Sequence, residues 1–129
     1  SLYLTFLSHL PEYQDTMAVN KRLLRWEPES ILVFPEGVGM LDFAPPGSPE
    51  QMIQTVAGLQ SHKLVIWAKH GSVSRSEISA VKAADYLEYI ETAAHYEYLN
   101  RQIGAPIAGL TDSEIRWIAK NFSITQTFF

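Results

Sequence analysis

The stretch Leu64-Val65-Ile66-Trp67-Ala68-Lys69-His70-Gly71 constrains this chain most. Its apolar run is of strand length, rich in branched and aromatic side chains, and has no polar alternation. Such a run reads as a strand covered on both faces. Gly71 permits a turn directly afterwards, so His70 stands where the strand leaves the core. A strand end of this kind lifts an imidazole out of the interior and fixes its direction. Upstream, Ser30-Ile31-Leu32-Val33-Phe34 followed by Pro35, Gly37 and Gly39 repeats the pattern. Two strand ends carrying polar groups predict a site assembled from loops on a rigid sheet.

The remaining elements follow from caps and breakers. Residues 2–10 are a strand or a buried helix ended by Pro11. Asp15 predicts a helix over about 16–26 with Val19, Leu23 and Trp26 on one face. Met40 to Phe43 form a short strand. Ser48-Pro49-Glu50-Gln51 combines a cap, a proline at the first helical position and a capping-box glutamine. That helix is expected to run to about Ser61 and to bury Met52, Ile53, Val56 and Leu59. Ser76 or a neighbour caps a long helix to about Arg101, with Ala83, Leu87, Ile90 and Ala94 as its apolar stripe. Gly104 and Pro106 stop it. Thr111 and Glu114 form a second capping box, opening a helix with Ile115, Ile118, Ala119 and Phe122 inward. Tyr86, Tyr89, Tyr96 and Tyr98 on the long helix read as core or subunit packing. Strands alternating with helices imply a sheet with helices on its faces.

Composition narrows the classes of partner. With 129 residues the chain fits one domain, and 47% hydrophobic against 19% charged residues describes a globular protein. A net charge of -4 without a clustered basic surface argues against a nucleic-acid partner. There is no cysteine, which excludes a disulfide scaffold and accords with a reducing, cytoplasmic setting. No apolar run approaches a membrane span of about 20 residues. The chain opens inside the apolar run Leu2-Tyr3-Leu4-Thr5-Phe6-Leu7 with no initiator Met, which predicts a piece of something longer.

His70 is the leading candidate for chemistry, against the plain alternative of a hydrogen-bonded histidine at a strand end. One histidine does not make a metal site, since zinc takes three or four protein ligands. His62 precedes the same strand, whose roughly 17–23 Å keeps the two from sharing one ion. His9 and His95 have no metal-type neighbours in sequence. Glu29 and Glu36 bracket the first expected strand, where acids are ordinarily surface residues. A carboxylate near a bound cation serves as ligand or base. Gly37-Val38-Gly39 is a weak signal for anion binding without a helix start behind it.

Taken in order, these segments resemble the C-terminal half of the class II aldolase/adducin family, over about residues 1–125. Val33-Phe34-Pro35-Glu36-Gly37-Val38-Gly39 is most similar to the branch acting on rhamnulose 1-phosphate, which carries a Phe-Pro-Asp-Gly-Val-Gly run. The Pro46-Gly47-Ser48 helix start, the strand ending in His70-Gly71, and the helix around Glu91-Thr92-Ala93-Ala94 are similar to the family's as well. One departure is Ser76, which stands where the family often places a second glycine after His-Gly.

The resemblance implies an α/β fold: three layers, α/β/α, with a mixed, largely antiparallel sheet. Residues 1–129 would be the C-terminal portion of a single such domain. It implies a zinc-dependent lyase splitting a ketose 1-phosphate, such as rhamnulose 1-phosphate, into dihydroxyacetone phosphate and an aldehyde. Of the family's three zinc-binding histidines only the last maps here, onto His70. The His-x-His pair and the acid/base glutamate would precede Ser1. Alignment places Glu29 on a glutamate near the metal, as a displaceable ligand or an outer-shell carboxylate. The chain alone is then expected to be inactive, requiring the N-terminal segment and a homotetramer with sites between subunits. Other members of the family imply a sugar-phosphate epimerase or dehydratase, or a non-catalytic adducin-like interaction domain.

Overall fold

The computed structural model describes residues 1–129. In chain order the elements are α1 (Leu2–Leu7), a 3-10 turn (Pro11–Tyr13), α2 (Thr16–Leu23), α3 (Ser30–Val33), β1 (Gly39–Leu41), α4 (Pro49–Ser61), β2 (Leu64–Trp67), β3 (Gly71–Ser74), α5 (Ala80–Gln102) and α6 (Asp112–Asn121). β2 is the central strand, with β1 parallel on one side and β3 antiparallel on the other. The sheet is therefore mixed, as expected.

Alternation along β2 assigns the two faces. Leu64 and Ile66 enter the main core with Leu4, Leu7, Val19, Leu23 and Ile90 from α1, α2 and α5. Val65 and Trp67 point the other way, towards α4: Val65 meets Gly58, and the Trp67 indole donates to Thr55 Oγ1 at 2.8 Å. Helices thus cover both faces. Phe34 is the bulkiest fully buried side chain, and truncating it to Ala would cost about 3–5 kcal/mol.

The predicted caps are present. Asp15 accepts from the Ala18 amide, Ser48 from Gln51 and Thr111 from Glu114, with the α6 capping box closed in both directions. The long helix starts at Ser79 rather than Ser76. Ser76 instead accepts from the Ile78 amide in the connection ahead of it.

Three expectations are corrected. Residues 30–34 are not a strand: α3 is one helical turn, with the Val33 amide bonded to Glu29 O and the Phe34 amide to Ser30 O. Ile31 and Phe34 are both buried in the same core. Their three-residue spacing puts them on one side of a helical turn, whereas an extended segment would send them to opposite faces. The place beside β2 is taken by β1, and the intervening loop is pinned by buried Asn20, whose side chain bonds both N–H and C=O of Val38.

α4 does not bury its apolar stripe. Met52 and Ile53 are each 62% exposed and Val56 57%. The stripe facing the sheet is Gln51, Thr55, Gly58 and His62, one helix face by spacing. Those residues are small or polar because this face approaches the sheet closely and carries hydrogen bonds. A Cβ on Gly58 would stand 2.8 Å from Val65 Cγ1. Phe122, expected inward on α6, is also exposed, while Phe128 from the tail is buried.

The segment after His70 is a strand, β3, closing a hairpin with β2. Ala68, Lys69 and His70 form its loop, with Lys69 in the left-handed region at φ 64°. Three-residue hairpins need one such residue, ordinarily glycine. Here the Lys69 amide is held by Ser8 Oγ at 2.8 Å, which fixes the turn from outside.

Candidate functional site

The hairpin loop presents His70 at the end of the sheet, exposed, beside a cleft of about 650 Å³. The walls are the first residues of α1, the start of β3, and the α5 face bearing Glu88, Glu91 and Thr92. His70 is held on three sides. Its amide donates to Trp67 O at 3.0 Å, its ring stacks on the Trp67 indole at 5.1 Å between centroids, and Nδ1 lies 3.1 Å from Gln51 Nε2. Strand, hairpin and helix α4 therefore converge on one imidazole.

The two carboxylates of the cleft differ in what they do. Glu91 is engaged: its oxygens accept from the Tyr3 and Leu4 amides at 2.8 and 3.2 Å, satisfying the free N–H groups that open α1. Glu88 is exposed on the neighbouring turn. No lysine or arginine lines the cleft. It suits a cation or a hydroxyl-rich group better than a phosphate.

The other residues singled out lie elsewhere. Glu29 is exposed at the N-cap of α3 and does not line the cleft. Its carboxylate is close enough to Glu27 to add to burial in holding that acid above the usual carboxylate range. α3 ends near the opposite end of β2, where Val33 O accepts from Lys63 Nζ. Glu29 and His70 are thus not brought together within one chain. Glu36 pairs with Lys63 at the same far end. His62 bonds Gly58 O through Nδ1, and His95 stacks on Tyr3 at 4.0 Å.

These residues do not complete a zinc site. Nowhere in the chain do three His, Cys, Asp or Glu side chains come within reach of one ion. His70 offers a single nitrogen, short of the three protein ligands that zinc takes. Sequence reasoning missed Glu88 and Glu91 as cleft residues and Gln51 as the partner of His70. Gln51 had a sufficient local explanation as a helix-capping residue, and acids at i, i+3 on a long helix look like a solvated face.

The expected resemblance is borne out. The chain is 29% identical over 111 residues to the rhamnulose-1-phosphate aldolase of Enterobacter sp. (strain 638), covering 86% of this chain and 40% of that protein. It is 27% identical over 123 residues to the enzyme of that name from Listeria monocytogenes serotype 4a, covering 95% and 43%. The chain therefore spans less than half the length of the curated relatives it matches. Among solved structures, a sugar-phosphate aldolase from Thermotoga maritima superposes with a TM-score of 0.71 at 30% identity, covering 84% of this chain and 45% of that one. YgbL of Escherichia coli, an aldolase/epimerase/decarboxylase candidate, shares the fold at a TM-score of 0.70 and 23% identity, covering 90% and 52%. No family model matches the chain. No helix is long and apolar enough to cross a membrane.

Proposed function

We propose that these residues are part of a zinc-dependent aldolase, a carbon–carbon lyase cleaving rhamnulose 1-phosphate or a closely related ketose 1-phosphate. The observation that carries this reading is His70. A chain similar along most of its length to enzymes of that name presents one imidazole from a fixed hairpin into an acidic cleft. Zinc, when bound, supplies Lewis acidity for the enediolate that forms as the carbon–carbon bond breaks. The chain's own contribution is positional. Trp67 and the Ser8-anchored hairpin orient His70 as one ligand, and Glu91 holds α1 as the cleft wall.

The remaining ligands, the proton-transferring acid and the phosphate-binding groups then lie outside residues 1–129. Glu29 serves as a metal-side carboxylate only across a subunit boundary. The exposed apolar stripe of α4 supports contact with further chain or with other subunits, a homotetramer in this reading, in the cytoplasm. The assay is cleavage of rhamnulose 1-phosphate by the full-length gene product, with dihydroxyacetone phosphate as readout. A chelator should abolish it, zinc restore it, and His70→Ala lower kcat at least about 100-fold. The isolated 129-residue chain should lose added zinc on dialysis; tight retention there would count against the assignment.

A further inference from the structure

Gln51 carries an arrangement that the reading above does not absorb. Its side-chain Oε1 accepts from the Gly47 amide at 2.8 Å. A backbone N–H only donates, so this bond settles which end of the amide is oxygen. The NH2 end is then the one facing His70 Nδ1 at 3.1 Å. Because that NH2 group donates, Nδ1 accepts, and the neutral imidazole carries its single hydrogen on Nε2.

This is the reverse of what a metal-binding histidine needs at Nε2. Such a ring gives its lone pair from Nε2 and keeps its hydrogen on Nδ1, donated to a carboxylate, a carbonyl or water. With Gln51 as it stands, a hydrogen on Nδ1 would meet another donor. We propose that Gln51 is a positioning residue that locks His70 in the Nε2–H tautomer, so that the ring as held here does not fit a metal at the nitrogen facing away from α4. Turning the Gln51 amide over would offer its oxygen to His70 Nδ1–H but leave the Gly47 amide at the start of α4 without its acceptor, which holds the lock. This inference rests on the metal reading of His70 for its consequence, but not for the tautomer itself.

The test is nitrogen-15 NMR of the histidine rings in the 129-residue chain, comparing it with Gln51→Glu and Gln51→Ala. The unaltered chain should show His70 with its hydrogen on Nε2. Gln51→Glu, whose second carboxylate oxygen accepts from the ring while the first keeps Gly47, should move the hydrogen to Nδ1. Gln51→Ala should return the ring to the mixture of tautomers of a free imidazole. An Nδ1–H ring in the unaltered chain, or a tautomer indifferent to both substitutions, overturns the lock. If the tautomers behave as stated but the full-length gene product binds no zinc, the lock stands and the metal reading falls.

Discussion

The phenol of Tyr13 donates to the buried carboxylate of Glu97, joining the turn before α2 to the C-terminal part of α5 across 84 positions of sequence. Glu97 is 2% exposed and also accepts from Arg22 Nε and from the Trp26 indole at 3.1 Å. One carboxylate thus ties together three segments that pack beside α5. Removing its charge in Glu97→Gln leaves the facing donors poorly matched, with an expected loss of about 1–3 kcal/mol in urea unfolding. A variant as stable as the parent would show that the carboxylate is not what holds these segments.

The same pair makes stability depend on alkaline pH. Burial, and then the hydrogen bond to Glu97, pushes Tyr13 up to about 12 from its ordinary 10. A raised folded-state pKa means that the fold favours the neutral phenol. Its contribution is complete below about pH 10 and disappears as pH climbs through about 12, by about 2–3 kcal/mol. Tyr13→Phe should flatten that alkaline decline in denaturant titrations; an unchanged slope would refute the assignment.

Gly37 sits at φ 75°, where a Cβ would stand 2.5 Å from the Phe128 ring and 2.8 Å from Asn20 Oδ1. Left-handed strain and overpacking together predict that Gly37→Ala costs roughly 2–4 kcal/mol. Thermal unfolding measures it. Combining it with Phe128→Ala should cost less than the sum of the two single changes, because the clash partner has gone.

Glu91 serves as the side-chain acceptor for the first amides of α1. Glu91→Ala should cost about 1–2 kcal/mol, as loss of a helix cap does. Hydrogen exchange should accelerate at Tyr3 and Leu4 before it does in β2. Uniform acceleration would instead mean global destabilisation without a local role.

The exposed stripe of α4 contributes little to the stability of this chain by itself. Met52→Glu together with Val56→Glu should leave its unfolding free energy within about 0.5 kcal/mol of the parent. A large loss would mean that the stripe is buried after all, as its periodicity suggests.

Local chemistry was legible from the residues. Asp15, Ser48 and Thr111 cap their helices because an N-cap needs only a side-chain oxygen and an amide two or three positions on. The strand at Leu64 was equally plain, since an unbroken apolar run of that length has few alternatives. The fold and the prominence of His70 followed from the same segments. The single turn at Ser30 did not, because four apolar residues have no period long enough to separate turn from strand.

Which side of a helix meets the sheet was decided only in three dimensions. The spacing of Met52, Ile53 and Val56 announces a helix with an apolar face, but closeness of approach placed Gly58 against Val65 and turned that face outward. The surroundings of His70 were decided the same way. Gln51 and His70 meet only when α4 has packed on β2, and Glu29 is kept from them by the length of the sheet. Sequence specified what each segment is, because capping and turn formation act over a few bonds. Tertiary packing specified which side chains meet, because it selects among helix faces that local forces leave nearly equal in energy.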